Sequence, residues 1–118
     1  MNDPMPLRVD YHDAVGVVSV GGEVDLMQTQ ALRDRLLGAV RNEDLGLVID
    51  LSDATYIDSV GVSLLFELAD RLAERQLRLA VVLPDGGLVK RVIEIVNLES
   101  VAEIHPTVNH ALVAMQHS

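Results

Sequence analysis

Cysteine is absent from this chain, and so is tryptophan. Without cysteine there is no disulfide framework and no thiolate to serve as nucleophile, redox centre or metal ligand, and the sequence fits a cytoplasmic protein. Aromatic residues make up only 3% while apolar residues make up 49%. The core must therefore be built from Val, Leu, Ile and Ala. Basic residues are also scarce: nine Lys and Arg are scattered against 18 Asp and Glu, for a formal charge of −9. A phosphate backbone repels such a chain, so no nucleic acid is expected as a partner. No apolar run approaches the roughly 18 residues needed to cross a bilayer. The N-terminal MNDPMPLRV carries no positively charged stretch followed by an apolar one, so neither membrane insertion nor export is expected.

The motifs of common chemistries are missing too. Neither GxxxxGK[ST] nor GxGxxG occurs, which removes the two glycine-rich phosphate cradles. GVSLL (61–65) lacks the second glycine of a nucleophile elbow and falls inside a predicted helix. The histidines His12, His105, His110 and His117 are dispersed, with no pair three or four apart on one helix. No metal, no cofactor and no catalytic residue is expected. Asp50 and Asp53 flank a strand end as a phospho-accepting aspartate would. The only lysine, Lys90, lies in a predicted helix rather than after a late strand, so the two carboxylates read as loop-capping groups.

What is present is an alternation of strands and helices in 118 residues, enough for one compact domain. A flexible leader is expected over residues 1–6 and a single domain over 7–118. Leu7 to Tyr11 and Val15 to Val20 read as an antiparallel hairpin. GGEVD (21–25) breaks the second strand, and Asp25 is placed to cap a helix through LMQTQALRDRLLGAV, where Leu32, Leu36 and Val40 recur at helical spacing. LVIDL (47–51) and LRLAVVL (77–83) are continuous apolar runs of the kind buried on both faces. Between them Leu64, Leu65, Leu68 and Leu72 form one stripe of a helix from about Val60 to Arg75, with Glu67, Asp70, Arg71 and Glu74 facing water. After the PDGG turn, LVKRVIEIV (88–96) reads as a helix with Leu88, Val92, Ile95 and Val96 near one face, ended by Asn97 in the left-handed region. A short strand around Val101 to His105 and a helix from Thr107 to about Gln116 complete the order β-β-α-β-α-β-α-β-α. This is an α/β fold whose mixed sheet opens with a hairpin and continues through right-handed parallel crossovers, with helices packed on the sheet.

One stretch invites a functional reading. In TYIDSVGVSLLFELADRL (55–72), Asp58 and Ser59 sit where an apolar run turns helical. The plain reading is a cap: Ser59 accepts a backbone N–H, and Asp58 complements the positive end of the helix dipole. Gly61 costs stability so early in a helix, roughly 1 kcal/mol against Ala in an interior, unless close approach is needed there. If the second and third strands are neighbours, Asp25 and Asp58 share one edge of the sheet. A surface site then takes shape.

These segments resemble the STAS domains, in particular the bacterial anti-sigma factor antagonists. The resemblance runs from about Val15 to Met115. It is carried by GGEVDLMQTQALRDRL, similar to the family's Gly-Glu-Leu-Asp loop and first helix; by LVIDLSDATYIDSVGVSLL, with its Asp-Ser-x-Gly; and by LPDGGLVKRVIEIVNLESV. It implies a switch without catalysis. Ser59 would be phosphorylated by an anti-sigma factor that is itself a serine kinase, the unphosphorylated form would bind that kinase and free its sigma factor, and a serine phosphatase would restore the binding form. Asp25, Asp58, Ser59, Val60, Gly61 and Val62 would form the partner-binding surface. Val60 stands where the family often has Ser or Thr, Ser63 replaces a frequent glycine and is a weaker second acceptor, and Asn97 replaces a glycine after the third helix. An alternative within the same family is an accessory subunit of a transporter or lipid-trafficking complex that docks on an ATPase without phosphorylation. A third possibility, a small enzyme, would require a substrate pocket beside Ser59.

Overall fold

A computed structural model describes residues 7–116, except for the side chains of residues 26–29. The leader expected over 1–6 and the last two residues, His117 among them, lie outside the described residues. The chain folds in the order β1 (Leu7–His12), β2 (Val15–Val20), β3 (Gly22–Val24), α1 (Leu26–Gly38), β4 (Gly46–Asp50), β5 (Ala54–Ile57), α2 (Ser59–Glu74), β6 (Arg78–Val82), α3 (Leu88–Ile95), β7 (Glu103–His105) and α4 (Val108–Gln116), with a 3₁₀ turn over Leu98–Ser100. The nine elements read from the sequence are all there, in that order.

Five strands form one sheet in the order β1-β2-β4-β6-β7. β1 and β2 are antiparallel, and β2-β4, β4-β6 and β6-β7 are parallel. Side chains alternate across a strand, and the sheet therefore feeds two cores. Val18, Val20, Leu47, Ile49, Leu79 and Val81 meet Leu32 and Leu36 of α1, Leu64, Leu65, Leu68 and Leu72 of α2, and Val89 and Ile93 of α3. On the other face Val15, Val17, Val48, Ala80 and Val82 meet Ala111 and Met115 of α4. Each fully buried Leu or Ile contributes about 1.5–3 kcal/mol over leaving it exposed. The four-leucine stripe of α2 is buried along its whole length, which fixes how the helix lies on the sheet and hence where its first turn points.

Two features depart from the sequence reading. GGEVD does more than break β2: Gly22 takes φ 75°, and Gly22–Val24 then forms a short strand parallel to β5, both strands lying outside the expected nine elements because they are too short for a two-residue period to show. In α3 the buried residues are Val89 and Ile93. Leu88 and Ile95, expected on the inner face, are 57% and 75% exposed. Six of the nine residues in LVKRVIEIV are apolar, so two overlapping stripes satisfy the helical period and packing on the sheet selects between them. Asn97 ends this helix in the left-handed region, φ 58° and ψ 47°, as its side chain permits.

Candidate functional site

The small β3-β5 ladder builds the site. Val24 and Ile57 are register partners, so the residues that follow them, Asp25 and Asp58, emerge side by side at the starts of α1 and α2. The Asp58 N–H donates to the Val24 carbonyl at 3.1 Å, tying the two starts together. Asp58 has extended backbone (φ −99°, ψ −178°), and its Oδ1 accepts the Gly61 N–H at 2.8 Å. Its carbonyl accepts the first intrahelical bond, from Val62 N at 2.9 Å. Asp58 is therefore the N-cap.

That geometry corrects the local assignment. Ser59 is the first helical residue and not the cap, because the shorter route to the Gly61 amide belongs to the residue still in extended conformation. The Ser59 side chain is exposed and its hydroxyl is left to face solvent at the positive end of a 16-residue helix. Of the first amides of that helix, Gly61's goes to the Asp58 carboxylate and Val62's to the Asp58 carbonyl. Those of Ser59 and Val60 remain at the open terminus, as helix geometry dictates.

Gly61 is buried and explains why the turn is so tight. A Cβ placed there would lie 2.7 Å from the Val24 carbonyl oxygen and 2.8 Å from Ile57 Cγ1. The close approach it permits is made by the chain's own β3. Val60 and Val62 are half-buried, with Val62 packed against the core below. Ser63 is exposed one turn on from Ser59, on the same side of the helix. The structure thus brings Asp25, Asp58, Ser59 and Val60 to one surface and places Gly61 beneath it.

Two neighbours escaped the sequence reading. Glu23 and Tyr56 are register partners across the ladder, and both are exposed, Tyr56 by 44%. Only recognition of the three-residue strand could have placed them beside the helix start. Asp50, the last residue of β4, and Asp53 hold the loop between them: Asp50 Oδ1 accepts the Ser52 N–H at 2.9 Å, and the Asp53 carbonyl accepts the Gly22 N–H at 3.1 Å. A cleft of about 600 Å³ is lined by residues such as Arg8, Ser19, Asp50 and Asp53, but by neither Asp58 nor Ser59.

The histidines are less dispersed in space than in sequence. His105 Nδ1 and His110 Nδ1 lie 2.9 Å apart, so one donates to the other, and His105 Nε2 lies 3.1 Å from Glu103 Oε1. Arg78 Nε and Nη2 donate to both Glu103 oxygens at 2.6 and 2.8 Å. The Arg78 hydrogen bond holds the Glu103 carboxyl below its ordinary pKa, and the same bond raises Arg78. This clasp joins β6, β7 and α4. Among the described residues no three His, Cys, Asp or Glu side chains converge as metal ligands would, and no helix is long and apolar enough to cross a membrane.

A family model described as "Mlab, STAS domain" matches residues 7–106. The anti-sigma-F factor antagonist RsfB of Mycobacterium tuberculosis is 29% identical over 114 residues, covering 97% of this chain and 92% of RsfB. The crystal structure of an anti-sigma factor antagonist from Mycobacterium paratuberculosis superposes with a TM-score of 0.85 at 32% identity, covering 95% of this chain and 94% of that one. The Bacillus cell fate determinant SpoIIAA in its phosphorylated form shares the fold, with a TM-score of 0.69 at 16% identity over 92% of this chain and 98% of that one.

Proposed function

Because the chain belongs to the STAS domain family, we propose that it is an anti-sigma factor antagonist, a binding module whose Ser59 is the switch. The unphosphorylated form binds an anti-sigma factor that is also a serine kinase and so releases the sigma factor. The kinase transfers the γ-phosphoryl group of ATP to the Ser59 oxygen, with loss of the hydroxyl proton and departure of ADP, and binding ceases. A serine phosphatase hydrolyses the ester and restores the binding form.

The observation that carries this reading is the division of labour at the start of α2. Asp58 caps the helix through Gly61 N, which leaves the Ser59 hydroxyl exposed and open to phosphorylation. The phosphate brings about −1.5 to −2 charges and three acceptor oxygens. The open amides of Ser59 and Val60 suit it, since a helix N-terminus is a natural anion site, and the fold survives. A partner seated on the same surface meets a different balance. Bulk and negative charge arrive beside Asp58 and Asp25, where desolvation by the partner strengthens repulsion. Each 1.4 kcal/mol of that penalty weakens binding tenfold. Asp58 frames the hydroxyl, Asp25 lines the surface, Val60 and Val62 offer its apolar edge, and Gly61 sets the angle of the turn.

The functions of the two mycobacterial relatives agree with this reading. The test is incubation with an anti-sigma factor kinase and Mg-ATP, read by intact mass and peptide mapping. One phosphate on the peptide containing residue 59, lost in Ser59→Ala, is expected. Phosphate placed only elsewhere, at Ser63 for example, overturns it.

A further inference from the structure

Among the described residues, strand β1 is a margin of the main sheet, paired on one side only, and from Arg8 to His12 only Val9 is half-buried, the others being exposed. His12 and Val15 are register partners around a two-residue turn, with Asp13 at φ 54°. The bond closing that turn makes them a hydrogen-bonded pair. Alternation along an antiparallel ladder then directs the N–H and C=O groups of Arg8, Asp10 and His12 toward β2, and those of Leu7, Val9 and Tyr11 outward. No proline, lysine or bulge interrupts Leu7–His12. These are among the usual devices that keep an edge strand from pairing with another chain; a further one, charged side chains, is present in β1 as Arg8 and Asp10, which are of opposite sign.

The side chains of this edge are self-complementary. If a second β1 lies antiparallel about a two-fold axis through Val9, Val9 opposes the partner's Val9 and Leu7 opposes the partner's Tyr11. Arg8 then opposes the partner's Asp10. Tyr11 is already held in place, its hydroxyl donating to the Ala39 carbonyl at 2.8 Å and its ring lying 3.8 Å under the Arg41 guanidinium carbon. Arg8 and Asp10 pair within the chain at 3.1 Å while 76% and 49% exposed. They can therefore exchange that contact for the equivalent one across the axis. Both symmetry-related charge pairs form in this register.

We propose that this chain self-associates through β1, two copies sharing a continuous ten-stranded sheet. The charge match argues for a second copy over an unrelated strand. The paired strip is short, below the size of a standard stable interface, and association is sought at concentrations from about 10 µM to about 1 mM. Because the axis stands normal to the sheet, the strand directions of the two copies are opposed. The two α2 starts then point to opposite ends, and dimerisation leaves Ser59 accessible in both copies. The inference is independent of the phosphorylation reading.

Sedimentation equilibrium across that concentration range, at physiological salt, tests it. Wild type is expected to shift from monomer to dimer. Arg8→Asp and Asp10→Arg, which put like charges opposite one another, each weaken association about tenfold or more. The double charge swap restores it at an unchanged net charge. Val9→Cys, in a chain with no other cysteine, forms a disulfide-linked dimer on mild oxidation and leaves both charges intact should the charge variants fail to fold. A wild type that stays monomeric throughout overturns the proposal, as does a double swap no better than either single change or a Val9→Cys protein that does not cross-link.

Discussion

Substituting Gly61 by Ala probes the contact on which the whole site hangs. The new methyl would sit 2.7 Å from the Val24 carbonyl oxygen, 2.8 Å from Ile57 Cγ1 and 3.1 Å from Val24 Cγ1. The oxygen cannot recede freely, because it accepts the Asp58 N–H at 3.1 Å and belongs to the ladder that aligns the two helix starts. Overpacking of this kind costs about 1–3 kcal/mol. Gly→Ala returns up to about 1 kcal/mol in a helix interior, and less in the first turn. The expected net loss is about 1–2 kcal/mol, which for a domain of this size lowers Tm by about 4–8 °C. Urea and thermal unfolding measure it directly. Gly38→Ala is the control, since a Cβ there meets nothing within 4 Å, and it should be neutral or slightly stabilising. A Gly61→Ala protein as stable as wild type would refute the close approach of α2 to β3.

Two further outcomes follow from the same geometry. Asp58→Ala removes the cap of α2 and should cost about 1 kcal/mol in urea unfolding, while Asp58→Asn, which keeps an acceptor oxygen, should recover most of it; equal stability of all three would show that the cap is not formed. The Glu103 carboxyl is held low chiefly by its hydrogen bond from Arg78, so its contribution is complete above the ordinary carboxylate pKa and is lost as pH falls through the lowered folded value. Glu103→Gln should therefore flatten the acid limb of the stability profile with little change in its shape above neutral pH, and an unchanged acid limb would contradict the pairing.

The parts of the fold that were legible in the sequence are those where one physical signal acted alone. Leu64, Leu65, Leu68 and Leu72 offered a single stripe, and all four are buried. LVIDL and LRLAVVL had no polar face to place, and both strands are central. Where signals competed, the sequence was ambiguous. α3 is apolar around most of its circumference, and only contact with the sheet settles that Val89 and Ile93 go in while Leu88 and Ile95 stay out. β3 is three residues long and includes a glycine and a glutamate, too little for a period to show. Its consequences reach the site, since the juxtaposition of Asp25 with Asp58 and the exposure of Glu23 and Tyr56 depend on it. Asp58 and Ser59 were found by their position before a helix, yet their roles were exchanged. Both are good caps, and only the backbone angle of Asp58 shows which one remains extended. The His105–His110 contact was invisible because its two members lie on different elements.

The central claim is that the surface around Ser59 binds a partner only while the serine is free. Calorimetric titration of an anti-sigma factor kinase with the unphosphorylated protein, and separately with protein phosphorylated at Ser59, measures that difference directly. A loss of affinity of about 100-fold or more is expected on phosphorylation. Equal affinity of the two forms, the behaviour of a subunit that docks constitutively, would contradict it.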